Sequence, residues 1–411
     1  MDTAILRNYA KLIARSGVNV MPGQEVILNA EPDQPKFVEM LVEELYLAGA
    51  GRVRVEWRYQ PITALNIKYQ SLETLSEVEA WEEEKLRRRA ELLPAVIYLH
   101  SEDPDGLGGI DQDKWARARQ AINKITKPYS DRMENKYQWC VAAVPGLDWA
   151  RKVFPDAASD DEAIEKLWQM ILHCARADGP DPIDDWKKHS DNLRRRCDWL
   201  NSLKLRRLEY KSASSGTDFS VGLMPNMLFC GGAEELAGKG VWYNANIPSE
   251  EVFTTPMSGD AEGIVYSTMP LSYRGVLIED FSVRFENGRA VEVHAKKNEE
   301  ALKLMIAMDE GACKLGECAL VPWKSPIRES GVLFYNTLFD ENASCHLALG
   351  AGYSSCLESY WEYTQEQAYA MGVNDSMIHE DFMIGAPDLS IVGITESGER
   401  VQIFKDGNWA D

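Results

Sequence analysis

The chain has 411 residues, enough for two domains with separate cores, and its 45% hydrophobic and 27% charged residues are ordinary for a globular protein. Its formal net charge of −21 argues against binding to nucleic acid or to an anionic membrane surface, because both need a basic footprint. No apolar run approaches the roughly 20 residues of a membrane-spanning helix, and the eight scattered cysteines, which form no C-x-x-C pair, indicate reduced thiols and a cytoplasmic location.

Strand and helix patterns alternate over the first 180 residues. We expect strands at 25–31, 52–58, 95–101 and 139–145, and helices at 1–18, 34–50, 72–92, 111–126 and from Ser159 onwards. Strands separated by helices imply right-handed crossovers and a parallel sheet. No glycine-rich phosphate-binding motif follows any of these strands, so nucleotide binding lacks its usual sequence support.

The composition changes in the segment "RADGPDPIDDWKKHSD" (176–191), which is rich in proline, glycine and aspartate. We therefore predict two domains, at 1–182 and 183–411. After helix 183–203 the pattern is of strand-like pieces and tight turns, including the hairpin signal Asn287-Gly288 and a helix near 298–311. The predicted fold class is an α/β N-terminal domain with a mainly parallel sheet, plus an α+β C-terminal domain with mainly antiparallel strands.

Four short stretches of the second half place polar side chains among apolar ones, and each has an ordinary structural explanation. The stretches are "NIPSEEVFTTP" (246–256), "LGECALVP" (315–322), "SCHLALGAGY" (344–353) and "SMIHEDFMIG" (376–385). Paired glutamates can begin a helix, a core carboxylate can accept from main-chain amides, and a lone histidine or tyrosine is commonly a core residue. In an extended strand, however, His379 and Asp381 point to one face.

Taken together, these stretches supply a mixed set of oxygen and nitrogen donors within one domain. Such a set suits zinc, cobalt or manganese, and it is too rich in nitrogen for calcium. It is also large enough for two cations bridged by a carboxylate, which indicates two-metal hydrolysis. The donors are one of the paired glutamates Glu250 and Glu251, together with Glu317, His346, Tyr353, His379 and Asp381.

These motifs, in this order, resemble those of the aminopeptidase T, aminopeptidase S and PepS group of bacterial metallo-aminopeptidases. The resemblance spans nearly the whole chain, from "ILRNYAKLIARSGVNVMPGQEVIL" to "DGNWAD", and is most specific in N-x-P-S-E-E-V-F-T-T-P and H-x-D-F-M-I-G. The chain departs from the group in its N-terminal half, where "SEDPDGLGGI" (101–110) is expected to alter access to the site.

The resemblance implies a residue-by-residue assignment of the site. Two divalent ions (zinc, cobalt or magnesium) are expected on Glu251, Glu317, His346, His379 and Asp381. Glu317 is expected to bridge the ions, and Tyr353 matches the active-site tyrosine of the group. Glu250 is the candidate to carry a proton to the leaving amine.

The implied activity is removal of the N-terminal residue from short peptides by a cytoplasmic homodimer. One alternative is a metallohydrolase of another substrate, such as a phosphoester. The other is a non-catalytic, metal-stabilised binding protein.

Overall fold

The computed structural model describes residues 1–236, 239–273 and 276–410. Two compact units divide the chain: residues 1–188 with 233–248, and residues 189–232 with 249–411. The predicted border after residue 182 lies at the start of a long helix, Pro182–Ser202, within which the first unit gives way to the second. The membership of 233–248 in the first unit was not predicted.

The first unit is built on a four-stranded parallel sheet in the order β2-β1-β3-β4, which confirms the predicted parallel arrangement. A short hairpin, β7–β8, belongs to the same unit. The strands are β1 Glu25–Ala30, β2 Arg52–Trp57, β3 Ala95–His100, β4 Trp139–Ala143, β7 Glu234–Leu236 and β8 Val241–Tyr243. The helices are α1 Thr3–Leu12, a π-helical turn Ile13–Gly17, α2 Pro35–Ala48, α3 Gln60–Tyr69, α4 Leu72–Leu75, α5 Ala80–Leu92, α6 Gln112–Met133, α7 Leu147–Val153, α8 Asp160–Cys174 and α9 Pro182–Ser202.

Local sequence explains where these helices begin and end. Helix α2 starts with Pro35 and ends at Gly49, whose φ of 116° is a left-handed conformation that favours glycine. The single helix predicted at 72–92 is wrong, because Glu79 and Glu82 form a capping box that starts a new helix after the short α4. Among the described residues, none of the helices combines the length and apolarity that crossing a membrane requires.

The second unit consists mainly of antiparallel strands, as the fold class predicted. One sheet runs β11-β12-β10-β6-β5-β17-β18-β19 with β13 paired to β12, and the other runs β16-β15-β14-β9. Its strands are β5 Leu205–Lys211, β6 Asp218–Gly222, β9 Val252–Thr254, β10 Ala261–Tyr266, β11 Leu271–Tyr273, β12 Val276–Glu286, β13 Arg289–Lys297, β14 Leu315–Leu320, β15 His346–Gly350, β16 His379–Met383, β17 Ser390–Thr395, β18 Arg400–Lys405 and β19 Asn408–Trp409. Its helices are α10 Glu299–Ile306, α11 Pro326–Glu329, α12 Thr337–Asp340 and α13 Gln365–Met371, with 3-10 turns at Glu341–Ala343, Ser354–Cys356 and Tyr360–Glu362.

The turn between β12 and β13 confirms the predicted hairpin. Asn287 and Gly288 have φ values of 50° and 73°, the positive pair that a type I′ turn requires. The predicted helix at 298–311 is shorter, and ends at Ile306. The apolar core of this unit lies between the two sheets and includes Leu347, Leu349 and Phe382 of the smaller one.

Candidate metal centre

The smaller sheet of the second unit places the predicted donors on one face. Glu317 of β14 and Asp381 of β16 both pair with Ala348 of β15, so the three residues form one row across the sheet. His346 and His379 lie two residues to either side of that row, on β15 and β16 respectively. Because side chains alternate along a strand, all four donors share a face. The opposite face carries the apolar residues that enter the core.

Glu251 immediately precedes β9, the edge strand of the sheet, and its side chain lies on the same face. Phe253 pairs with Ala319 of β14, and Glu251 is two residues before Phe253, so their side chains point the same way. Beside Glu317 the register of β14 shifts at Gly316. A Cβ on Gly316 would lie 2.0 Å from the main-chain oxygen of Ala351, so only glycine fits this close approach.

The carboxylates and imidazoles meet through one nitrogen of each ring. Nε2 of His346 lies 3.3 Å from Oε2 of Glu251. Nε2 of His379 lies 3.0 Å from Oε2 of Glu317 and 3.4 Å from Oδ1 of Asp381. Three carboxylates and two imidazoles therefore converge on a small, largely buried volume.

The other nitrogen of each ring is fixed by a main-chain carbonyl. Nδ1 of His346 lies 3.1 Å from the oxygen of Ser344, and Nδ1 of His379 lies 2.7 Å from the oxygen of Ala351. Because a carbonyl oxygen only accepts, Nδ1 carries the proton in both rings. In the neutral form of each ring, the lone pair of Nε2 would be available to a cation while the Nδ1 hydrogen bond fixes the ring, as in metal-binding histidines.

Without a cation, the charges of this cluster are balanced only by protons. Burial lowers the pKa of His346, but the carboxylate of Glu251 outweighs it and raises the pKa to about 10. Asp381 and Glu317 similarly raise the pKa of His379 well above its usual value. Burial and the neighbouring carboxylates raise the pKa of Glu317 to about 7. The shifts of the two histidines, which carboxylates cause against the effect of burial, indicate a site that favours added positive charge.

The geometry and chemistry of the donors fit divalent cations. Glu251, Glu317 and His346 offer ligand atoms within 4.8 Å of one another, and so do Glu317, His379 and Asp381. Oδ1 of Asp381 is buried and accepts no hydrogen bond, a costly condition that a cation would relieve. Glu317 belongs to both groups. Carboxylate oxygen with imidazole nitrogen is a donor set typical of zinc, cobalt and manganese.

Tyr353 lies at the edge of the same cluster. Its hydroxyl is 3.1 Å from Nε2 of His379, and its ring packs edge-on against Phe253 at 5.6 Å between centroids. The side chain is 41% exposed. Burial and the carboxylates of Glu317 and Asp381 raise its pKa above the usual value, so the phenol is protonated and can donate a hydrogen bond.

The structure brings one further carboxylate to the cluster that was not predicted. Burial and the charges of Asp381 and Glu251 raise the pKa of Glu341 well above its usual value. Glu341 lies in a 3-10 turn, where no strand periodicity marks its direction; its only sequence signal is an acid shortly before His346. Glu250, predicted as a proton carrier, is buried with its carboxylate 3.8 Å from Nε2 of His189.

Comparison with known proteins gives a family of metal-dependent peptidases. The family model described as thermophilic metalloprotease (M29) matches residues 2–409. Aminopeptidase AmpS of Bacillus subtilis is 40% identical over 98% of each chain. Aminopeptidase PepS of Streptococcus thermophilus is 39% identical over 98% of this chain and 97% of its own.

A solved structure extends the likeness to three dimensions. Wild-type AmpT from Thermus thermophilus superposes with a TM-score of 0.90 at 35% identity, and the match covers 99% of both chains. The likeness therefore covers both compact units, including the sheet that carries the candidate ligands.

Proposed function

This chain belongs to the thermophilic metalloprotease (M29) family and is a metallo-aminopeptidase, and from that premise we propose that it removes the N-terminal residue from short peptides at a centre of two divalent cations. One cation would be held by Glu251, Glu317 and His346, and the other by Glu317, His379 and Asp381. The observation that carries the proposal is the position of Glu317 in both groups, since a shared carboxylate is the natural bridge of a dinuclear site.

Divalent ions bound in this way supply Lewis acidity, which lowers the pKa of water and polarises a peptide carbonyl. The protein side chains then orient the substrate and stabilise the charge that develops. Tyr353 donates a hydrogen bond from its phenol toward the oxygen of the carbonyl under attack, since a tyrosine phenol is protonated at neutral pH. His346 and His379 hold their ligating nitrogens in place through their Nδ1 protons.

Lysine and arginine are absent from the four stretches that supply the candidate ligands. Phosphoester hydrolases commonly use these residues to bind the phosphate anion. A peptide is therefore favoured over a phosphoester as the substrate.

A carboxylate close to the site is required to pass a proton to the leaving amine. Glu250 keeps this role in our proposal. Glu341 is a second candidate, because the charges of Asp381 and Glu251 raise its pKa, while the carboxylate of Glu250 lies beside His189. Replacing each residue with glutamine separates the two candidates. Only the replacement of the proton carrier should lower kcat without loss of bound metal.

We also propose a cytoplasmic homodimer. All eight cysteines are free thiols, which fits a reducing compartment. The first unit exposes large apolar side chains at Trp57, Tyr69 and Trp81, which are 52%, 73% and 62% accessible, and such surfaces favour association with a second copy. Light scattering of the purified protein measures the oligomeric state, and cell fractionation measures the location.

The test of the activity is hydrolysis of leucyl-nitroanilide against nitrophenyl phosphate, after chelation and re-addition of single metals. We expect nitroanilide release that is lost on chelation and restored by zinc, cobalt or magnesium. Phosphate release in place of nitroaniline would instead support a phosphoesterase. Metal-independent activity would contradict the proposed centre.

A further inference from the structure

Two side chains that are distant in sequence hydrogen-bond to the peptide group that joins Ser249 to Glu250. Its carbonyl oxygen lies 2.7 Å from Nε2 of His189, and its N–H donates to Oδ1 of Asn342 at 2.7 Å. Because the carbonyl only accepts, Nε2 of His189 carries the proton. Glu251 is the residue after Glu250, whose N–H belongs to this peptide group.

Asn342 uses its remaining polar atoms in the same region. The residue is 0% exposed. Its amide nitrogen donates to the oxygen of Leu338 at 3.0 Å and to Oε1 of Glu341 at 3.3 Å. Asn342 therefore connects the main chain at Glu250 with the turn that carries Glu341.

The sheet itself leaves Glu251 without a ladder partner. The pairing of β9 with β14 covers Val252–Thr254 and begins at Val252 and Leu320. Glu251 precedes the first pair, so ladder hydrogen bonds do not set the orientation of its main chain. The two hydrogen bonds to the 249–250 peptide group therefore hold main chain that the strand pairing does not include.

We infer that His189 and Asn342 are positioning residues that orient Glu251 toward the other candidate ligands. The inference rests on the proposed metal centre, and neither residue is required to contact a cation. Partners that orient a metal ligand commonly change metal affinity by about 10- to 100-fold when removed.

The experiment is a Co2+ titration of the full-length, chelator-treated protein, followed by the absorption of bound cobalt and by competition with a metallochromic indicator. We expect Asn342→Ala and His189→Phe to weaken Co2+ binding about 10- to 100-fold and to alter the cobalt spectrum. His189→Gln, whose amide can still donate to Ser249, should retain most of the affinity. In a Glu251→Ala background, His189→Phe should cause no further weakening, because the residue that it orients is gone.

Asn201→Ala is the matched control. Asn201 lies in the same compact unit and exchanges two hydrogen bonds with the main chain of Phe229, so this variant loses main-chain contacts without touching the 249–250 peptide group. It should bind Co2+ like the unmodified protein. Thermal unfolding confirms that each variant is folded, and the two His189 variants decide the question if Asn342→Ala does not fold.

The outcomes separate this inference from the function on which it rests. If the unmodified protein binds no Co2+, the metal centre itself is wrong. If it binds Co2+ and His189→Phe binds equally well, the positioning role is overturned while the metal centre stands. Equal weakening by His189→Phe and His189→Gln would also overturn it.

Discussion

Oε2 of Glu317 lies 3.0 Å from Nε2 of His379, although 62 residues separate them in sequence. The contact spans β14 and β16, whose side chains meet across Ala348 of the strand between them. The small Ala348 leaves space beside Glu317 and Asp381 within one row. A side chain shared by both ligand groups couples them, so its loss should affect both cations.

Glu317→Gln is therefore expected to remove nearly all activity. The amide keeps the size of the side chain but lacks the charge that holds two cations, so kcat/KM for leucyl-nitroanilide should fall by more than about 100-fold, beyond the usual effect of a residue that only orients a ligand. Elemental analysis should show less bound metal. Glu286→Gln, on an exposed strand end, is the control and should retain full activity; unchanged turnover in Glu317→Gln would reject the bridging role.

Tyr353→Phe is expected to separate catalysis from metal binding. Loss of one hydrogen-bond donor to a developing oxyanion commonly lowers kcat by about 10²- to 10³-fold, while KM changes little because the interaction forms only in the transition state. Metal content should stay the same. Tyr266→Phe, with a similarly accessible ring at 36% exposure, should have no effect. Equal losses of kcat and bound metal in Tyr353→Phe would instead make Tyr353 a metal ligand.

Because side chains alternate between the two faces of a strand, the sequence could predict that His379 and Asp381 share a face. The period of two placed His379 and Asp381 on one face, and the structure confirms that face. The same period could not show that β14 and β16 are both neighbours of β15, because strand order depends on long-range packing. Glu317 stood out from patterning as a single glutamate in a small apolar run, and the family resemblance then gave it the bridging role.

What patterning missed lies outside regular strands. Glu341 is in a 3-10 turn, where direction depends on the tertiary contacts of each residue. Asn342 stood out in sequence only as an N-x-S sequon, yet it is fully buried. The break between α4 and α5 was missed for a different reason: charged residues with high helix propensity continue through it, and only the capping box marks the second start.

Removal of metal is expected to lower thermal stability. A ligand at 100 times its dissociation constant stabilises the folded state by about 2.7 kcal/mol, so chelation should lower the unfolding temperature of the second unit by roughly 5 °C or more. Differential scanning calorimetry with and without chelator measures the shift. His346→Ala, which lacks one ligand of the first group, should show a smaller shift. Equal unfolding temperatures for metal-loaded and chelated protein would contradict a buried cation site.

Glu31 is expected to make the first unit less stable as the pH rises. It is 8% exposed at the end of β1, and burial, together with the charges of Glu102 and Asp33, raises its pKa to about 7. Between its unfolded value near 4.5 and this folded value, the folded state holds a proton that the unfolded state has released. Stability is therefore greatest below pH 4.5 with respect to this group, and declines as the pH rises through 7.

Glu31→Gln removes that titration while keeping a hydrogen-bond acceptor near the main chain of Gln60. Relative to the unmodified protein, the variant should gain about 1–3 kcal/mol in unfolding free energy between pH 5 and pH 7.5. Urea unfolding at the two pH values measures this difference, and comparison of the two proteins at each pH cancels the titration of other groups. Glu286→Gln should show no such gain. A gain for Glu31→Gln of the same size at both pH values would show that the carboxyl of Glu31 does not titrate in this range.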